Sequence, residues 1–151
     1  MSKPQGRIAG IDYGTVRIGI AIGDLETNLA GPYETYTRCN IQLDAQYFCE
    51  LASAERIQRF VVGLPVHLDG HESQKSREAR QFGEWLGNIT GVPIDYFDER
   101  FTSAEAEQIL QEANLTKKRR KARIDQLAAQ IMLTAYLESG AQSQDSPDSI
   151  D

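Results

Sequence analysis

Cysteines and long apolar runs are scarce in this chain of 151 residues, and each shortage excludes a class of protein. The two cysteines, Cys39 and Cys49, form neither a C-x-x-C pair nor a four-ligand zinc set, which indicates free thiols in a reducing compartment. No apolar run approaches the length of a membrane span, and the first residues, MSKPQGR, lack the apolar core of a signal peptide. We therefore expect a cytoplasmic protein with no membrane partner.

Basic residues are outnumbered by acidic ones, but they are concentrated in one place. The formal net charge is -6 and the pI about 5.0, values that argue against a general nucleic-acid coat. Residues 117–123, KKRRKAR, nevertheless contain six of the 16 Lys and Arg residues. Clustered cations attract phosphates without sequence preference, so we expect this basic stretch to contact nucleic acid; a solvated loop is the alternative.

Hydrophobic periodicity predicts an α/β domain with the element order β β β α β α β α α. The predicted strands are 7–12, 17–24, part of 29–37, 59–65 and 92–97, and the predicted helices are 42–56, 73–89, 102–113 and 127–137. The first three strands form an antiparallel meander, in which Pro32 makes the third strand irregular or an edge, and the later helix–strand units add parallel strands. Residues 1–138 are thus expected to form one domain, followed by a disordered acidic tail, 139–151.

The second strand, RIGIAIGD (17–24), has one bulky face and one nearly bare face. Its isoleucines fall on one side by the period of two, and Gly19, Ala21 and Gly23 fall on the other. A bare face lets another backbone approach closely, either that of a packed helix or that of a substrate. Helix packing is the expected use.

An aspartate, Asp12, ends the first apolar strand, where a carboxylate costs several kcal/mol unless it is paired, hydrogen-bonded or bound to a cation. Ligands of such sheets collect beyond the carboxyl ends of the strands, where we expect the loops 66–71 and 98–101. Glu99 lies in the second loop, and Asp125 is expected in the first turn of the last helix, at the same edge. We therefore expect three acids to converge.

Converging carboxylates repel one another unless a cation lies between them. Mg²⁺ or Mn²⁺ is the natural occupant, because hard cations take oxygen ligands and keep waters for chemistry. Two such ions roughly 3.5–4 Å apart would activate a water and stabilise the leaving oxygen in phosphodiester hydrolysis.

Each acid taken alone also has a simpler explanation. Asp12 could cap the hairpin turn by accepting hydrogen bonds from the amides of Gly14 or Thr15. Asp125 could favour a helix N-terminus through the helix dipole, and Glu99 could be the solvated ion-pair partner of its neighbour in the chain.

Four ordered blocks carry a resemblance to a known family: GIDYGTVRIGIAIGD, VVGLPVHLDG, DERFTSAEAE and RIDQLAAQIMLTAYL. Over most of residues 7–138 the chain resembles the YqgF family, also called RuvX, of bacterial RNase H-like proteins. The resemblance implies an RNase H-like fold, with a mixed five-stranded sheet flanked by helices, and an acidic metal site at Asp12, Glu99 and Asp125. It also implies the family's assigned role, maturation of the 5′ end of 16S ribosomal RNA, and so a pre-ribosomal particle as partner.

The chain departs from one part of that pattern. Many family members are labelled Holliday junction resolvases because they look like RuvC, which is a fold analogy. Resolvases of the RuvC type carry a second acid one turn after the last-helix aspartate, whereas Ala128 and Ala129 follow Asp125 here. The missing acid disfavours tight binding of a second metal and, with it, junction cleavage.

The residues expected to hold nucleic acid are all basic. Guanidinium groups bind phosphate oxygens in bidentate fashion, so Arg17 and Arg100 are candidate phosphate clamps, although both could instead be ion-paired. The other candidates belong to the basic stretch: Lys117, Lys118, Arg119, Arg120, Lys121 and Arg123. The expected ligand is precursor rRNA or structured DNA, and the sequence leaves open a monomer or a homodimer.

Three other functions compete with RNA maturation. A junction resolvase would need a dimer with two active sites and a preference for four-way DNA. A ribosome-assembly factor would bind nucleic acid without cleaving it. The Asp-x-Gly hairpin is also similar to the phosphate-binding hairpin of actin-like ATPases and sugar kinases, but these close two such domains around ATP and this chain supplies one.

Overall fold

The computed structural model describes residues 6–65, 73–99 and 117–140, with the backbone alone described for residues 117–123. The elements in these ranges are β1 Arg7–Asp12, β2 Arg17–Asp24, β3 Leu29–Thr37, α1 Ile41–Ala54, β4 Ile57–Leu64, α2 Gln74–Thr90, β5 Ile94–Asp98 and α3 Lys117–Ser139. The predicted helix 102–113 and the predicted tail beyond residue 140 lie outside the described residues. Elsewhere the element order agrees with the prediction from periodicity.

The five strands form one mixed sheet in the order β3-β2-β1-β4-β5. β2 pairs antiparallel with β1 and β3, whereas β4 runs parallel to β1 and β5 parallel to β4. The predicted mixed sheet is confirmed. The third strand lies at the edge, as its proline indicated: Pro32 faces Ala21, and the pairing register shifts between Ile20 and Ala21.

The helix ends follow from local capping. The Asn40 side chain accepts a hydrogen bond from the Leu43 amide at 2.9 Å and begins α1, and the Ser73 hydroxyl accepts from the Ser76 amide at 3.0 Å and begins α2. α2 stops at Gly91, which adopts the left-handed conformation with φ 74°. The observed bounds of both helices lie within two residues of the predicted ones.

The helices divide between the two faces of the sheet. Side chains of α1 and α2, including Phe48 and Phe82, pack with Phe60 in one buried cluster. Leu133 and Tyr136 of α3 are fully buried in a second cluster on the opposite face. None of the helices in the described ranges has the length and apolarity to cross a membrane.

The bare face of β2 receives α3, which confirms that its small residues serve helix packing. A Cβ atom placed on Gly19 would lie 2.0 Å from the carbonyl oxygen of Asp125, and one on Gly23 would lie 3.1 Å from Leu133 Cδ2. On β1, a Cβ on Gly10 would lie 3.0 Å from Leu133 Cβ. Glycine is required at Gly19 in particular, because the nearest atoms there belong to a helix backbone that cannot rotate away.

One prediction about the last helix is wrong. The helix begins at Lys117 rather than at residue 127, so the basic stretch 117–123 is helical and is not a loop. Asp125 consequently lies in the third turn of α3, not in its first. The physical reason is that Lys, Arg and Ala are strong helix formers and no proline or glycine interrupts them, so the helix continues beyond its apolar part.

Candidate active site at the carboxyl edge of the sheet

The topology places Asp12 at the carboxyl edge of the central strand. Asp12 is the last residue of β1 and pairs across the hairpin with Gly19. On its other side β1 runs parallel to β4, with Ile11 beside Val62, so that Gly63 is the next residue along β4. Asp12 therefore has glycine on one neighbouring strand and glycine next in register on the other.

Glu99 reaches the same edge from β5. It directly follows that strand, and its carboxylate lies over β4, since a Cβ on Gly63 would be 2.3 Å from Glu99 Oε2. Any larger residue at position 63 would occupy the space of this carboxylate. Gly63, near the end of β4, thus makes room for an acid that comes from the end of the next strand.

Asp125 arrives from the opposite face on α3. Its backbone carbonyl contacts Gly19, which is itself the pairing partner of Asp12. The Asp125 side chain accepts a hydrogen bond from Arg17 Nε at 2.8 Å, an ion pair in which both side chains are partly buried. Arg17 was interpreted either as a phosphate clamp or as an ion-pair partner, and the ion pair is confirmed. Asp125 does not serve as a helix N-terminal charge, since it lies in the third turn of α3.

The pKa values show that the acids interact. Burial, together with the nearby carboxylates of Glu99 and Asp125 and against the opposing Lys75 ammonium, raises the pKa of the Asp12 carboxyl to about 7. Burial also raises the pKa of the Glu99 carboxyl, with Lys75 lowering it and Asp98 raising it. The three predicted acids therefore share one electrostatic environment, with a lysine beside it.

No hydrogen bond reaches the Asp12 carboxylate within the described part of the chain. The amides of Gly14 and Thr15 do not donate to it, so the turn-capping explanation of this residue is wrong. A partly buried carboxylate without a donor is stabilised best by a cation. Of the three acids, Asp12 is therefore the one whose environment most favours a bound cation.

The acids fit a hard divalent cation by their chemistry, since all three offer carboxylate oxygens. They do not form a closed coordination shell: among the described residues, no three His, Cys, Asp or Glu side chains lie close enough together to enclose a metal ion. The guanidinium of Arg17 occupies the Asp125 carboxylate instead. The structure thus brings the acids to one edge and leaves Asp125 paired with an arginine.

A cleft of about 600 Å³ opens at this edge, and both Asp12 and Asp125 line it. Arg17 and Lys75 supply positive charge to its wall, and Glu78 lies one turn beyond Lys75 on α2. Sequence reasoning did not place Glu78 at the site. The available signal was its spacing from Lys75, which lies in the first turn of the helix that follows β4.

The structure describes the other residues that were predicted to bind nucleic acid only in part. Residues 117–123 form the first turns of α3 and directly precede the turn that carries Asp125, so their backbone runs towards the cleft edge. Their side chains lie outside the described residues, as does Arg100.

The family model and the relatives found by comparison with known proteins agree on one family. A family model described as "RuvX: Holliday junction resolvase" matches residues 6–139. A protein of Rhodopirellula baltica is 49% identical over 134 residues, covering 89% of this chain and 78% of the relative. A protein of Syntrophomonas wolfei is 37% identical over 139 residues, covering 92% of this chain and 99% of the relative. Both relatives carry the name "Putative pre-16S rRNA nuclease".

Solved structures share the fold at low sequence identity. The Thermus thermophilus RuvC in complex with a Holliday junction substrate has a TM-score of 0.58 at 16% identity, covering 89% of this chain and 96% of that chain. The yeast mitochondrial Holliday junction resolvase Ydc2 has a TM-score of 0.59 at 10% identity, covering 98% and 84% respectively. These likenesses show the RNase H-like fold, and the predicted fold class is confirmed.

Proposed function

The chain belongs to the RuvX family, and on that premise we propose that it is a metal-dependent nuclease that matures the 5′ end of the 16S ribosomal RNA precursor. Support for an RNA substrate comes from the name carried by relatives that align over most of their length. Support for phosphodiester hydrolysis comes from the acidic edge of the sheet. A hard cation held between these carboxylates is the kind of centre that hydrolyses the phosphodiester bonds of nucleic acids.

The single observation that carries the proposal is the environment of Asp12. Its carboxyl is held near a pKa of about 7 by burial and by two further acids, from the end of β5 and from α3; no hydrogen bond from the described residues reaches it, and the Lys75 ammonium offsets the rise only in part. Structural aspartates are normally hydrogen-bonded or ion-paired, so a folded chain retains such a group when function requires it.

Mg²⁺ or Mn²⁺ is the proposed cofactor, and when bound it would supply a polarised water and neutralise the leaving oxygen. Asp12 and Glu99 would hold it from β1 and β5, and Asp125 would join them from α3. The Arg17 guanidinium would then turn from the Asp125 carboxylate towards a phosphate of the substrate, since both partners line the same cleft.

The substrate strand is proposed to enter along the basic side of the cleft. Lys75 and Arg17 lie on its wall within reach of the acids, and the basic stretch 117–123 precedes Asp125 on the same helix. The rest of the chain is acidic overall, so nucleic acid would be repelled elsewhere and guided to this edge. Binding should therefore weaken steeply as salt is added.

Cleavage of four-way DNA is the second candidate, favoured by the description of the family model. One observation counts against it. Ala128 and Ala129 form the turn where RuvC-type resolvases have their further acid, and neither carries a carboxylate; Ala129 is fully buried, with its carbonyl oxygen close to Gly10. Because that further acid is missing, we propose precursor rRNA, in a pre-ribosomal particle in the cytoplasm, as the physiological substrate.

The test is cleavage of a precursor 16S RNA 5′ segment beside a synthetic four-way DNA junction, with Mg²⁺, Mn²⁺ or EDTA. Wild type is compared with Asp12→Asn, and Asp24→Asn is the matched control. Asp24 ends β2 at the opposite edge of the sheet, beside Arg7, and its carboxylate accepts a hydrogen bond from the Glu26 amide that asparagine can also accept.

The proposal predicts metal-dependent RNA cleavage that falls by about 100-fold or more in Asp12→Asn and is unchanged in Asp24→Asn. Cleavage of the junction alone would instead establish the resolvase. If neither substrate is cleaved, and both variants bind them as wild type does, the protein is a non-catalytic assembly factor.

A further inference from the structure

A second pocket, of about 630 Å³, adjoins the active-site cleft, and nothing in the proposed chemistry uses it. Its walls come from the hairpin turn after β1, from the segment between β3 and α1, from the first turn of α1, and from α2. Four residues line both this pocket and the cleft, so the two spaces share a wall: Tyr13, Thr15, Val16 and Glu78. A polymer whose phosphate lies beside Asp12 would therefore have its neighbouring residue at this pocket.

Flat side chains dominate the inner wall of this aromatic pocket. The Tyr13 and Phe82 rings lie 5.3 Å apart, and Phe82 and Trp85 lie 5.4 Å apart. The Arg38 guanidinium lies over the Tyr13 ring at 5.5 Å and over the Phe82 ring at 5.8 Å. Tyr13 and Trp85 remain partly exposed. Such planes are the surfaces on which nucleobases stack.

The arginine in this wall is fixed rather than flexible. Arg38 Nη1 donates to Tyr13 Oη at 3.2 Å and to the Gly14 carbonyl at 3.4 Å, and Arg38 Nε donates to Asp44 Oδ2 at 3.4 Å. Asp44 is buried and also accepts from the Tyr36 hydroxyl at 2.7 Å. The guanidinium plane is thus held in place before any ligand arrives, which lowers the entropic cost of stacking on it.

The charges in the pocket select a base over a phosphate. Arg38 is the one cation among the lining residues that the structure describes, and Asp44 already neutralises it, while Glu78 adds a further negative charge. A phosphate would meet net negative charge here, whereas the cleft next to it offers Arg17 and Lys75. A neutral planar group would stack on the aromatic walls, and its amino groups could donate hydrogen bonds to the carboxylate of Glu78.

We propose that the aromatic pocket binds one unpaired nucleobase of the substrate strand, adjacent to the phosphodiester held in the cleft. The inference rests on the proposed function only in assuming that a nucleic-acid strand occupies the cleft. It makes the protein selective for single-stranded nucleic acid, because a base inside a duplex cannot enter a pocket between two helices and a turn. The exposed side chains of Val16 and Ile41, 60% and 67% accessible, form an apolar rim for the base edge and sugar.

The chain contains its own probe, since Trp85 is its only tryptophan and lies in the pocket. Trp85 fluorescence, excited where tyrosine does not absorb, is titrated with single-stranded hexaadenylate RNA, its DNA counterpart, and a backbone of the same length that is abasic throughout. EDTA is present, so that binding is measured without hydrolysis. A base stacked on the indole quenches the emission, and a phosphate backbone alone does not.

Two charge substitutions on α1 separate the pocket from general electrostatics. Ile41→Glu places a carboxylate at the rim, and Leu43→Glu places the same charge two residues away, outside the pocket, on a side chain that is 48% exposed. Both positions lie in the first turn of α1, where an acid favours the helix, so both variants should fold.

Ile41→Glu is expected to weaken binding of the base-containing strand by about tenfold and to reduce the quenching, with little change for the abasic strand. Leu43→Glu is expected to bind like wild type. Equal quenching by the abasic strand, or equal loss in the two variants, overturns the inference, as does a strand that is cleaved when Mg²⁺ or Mn²⁺ is added but leaves Trp85 emission unchanged in EDTA. Quenching in EDTA by a strand that is not cleaved when either metal is added supports the pocket and contradicts the nuclease, so the two proposals fail separately.

Discussion

Replacing Gly19 by alanine tests whether the packing of α3 on the sheet sets the geometry of the acidic edge. The new Cβ would lie 2.0 Å from the Asp125 carbonyl oxygen and 2.4 Å from its carbonyl carbon. Atoms in ordinary contact lie about 3.5 Å apart, so α3 must retreat by more than about 1 Å from β2. Because backbone and not a flexible side chain is in the way, the helix itself has to move.

The cost of that movement follows from its place in the core. Overpacking a well-packed interior costs about 1–3 kcal/mol, which in a domain of this size lowers Tm by roughly 2–4 °C for each kcal/mol. The same movement takes Asp125 away from Asp12, and a displacement of about 1 Å at a catalytic group can reduce the rate by about 100-fold. We expect Gly19→Ala to lose both stability and nuclease activity, with activity falling further than the loss of folded protein explains.

Two other glycines provide a graded control in thermal denaturation and in the RNA cleavage assay. A Cβ on Gly31 meets no atom within 4 Å, and one on Gly23 meets the ends of leucine side chains at 3.1 and 3.2 Å. Gly31→Ala should therefore match or slightly exceed wild-type stability, and Gly23→Ala should lie between the two. If Gly19→Ala has the Tm and activity of Gly31→Ala, the contact between β2 and α3 does not govern the site.

Three further outcomes are expected. Because folding raises the pKa of Asp12 from 3.8 to about 7, the folded protein binds this proton more tightly than the unfolded chain does, and the metal-free protein should lose up to about 4 kcal/mol of stability as the pH rises from about 4 to about 7. In Tm measurements with EDTA, Asp12→Asn should remove this fall in stability. If Asp12→Asn has the same pH profile of Tm as wild type, Asp12 is not the group that causes the fall. Arg17→Gln should lower the Tm of metal-free protein, since it leaves the partly buried Asp125 carboxylate unpaired. Adding Mn²⁺ should reduce the Tm difference between wild type and Arg17→Gln. If the Tm difference is the same with and without Mn²⁺, no cation replaces the arginine. Tyr136→Phe should destabilise by about 1–3 kcal/mol in urea denaturation, because the buried hydroxyl donates to Asp95 at 2.8 Å, and a loss near zero would show that this carboxylate finds another partner.

Much of the architecture could be predicted from the sequence because it is encoded between near neighbours. The alternation in β2 identified the bare face that α3 covers, the capping residues fixed the starts of α1 and α2, and Pro32 marked the edge strand. The ordered motifs indicated the family, which the comparisons confirm. The same motifs named the acids, and strand direction placed two of them at one edge.

Only the tertiary structure decided how those acids are held. Arg17 and Asp125 are far apart in the chain, and their ion pair depends on how closely α3 approaches Gly19, which no local pattern specifies. Glu99 reaches the central strands only because Gly63 leaves space for it.

The aromatic pocket shows the same limit more sharply. Tyr13, Arg38 and Trp85 belong to three separate segments and to no common motif, and each alone is typical of a packed or solvated side chain. Sequence determines which face of each element is apolar, since that depends on spacing along one strand or helix. Which side chains then meet depends on how separate elements pack against one another, and that is settled by the whole core rather than by any segment of it.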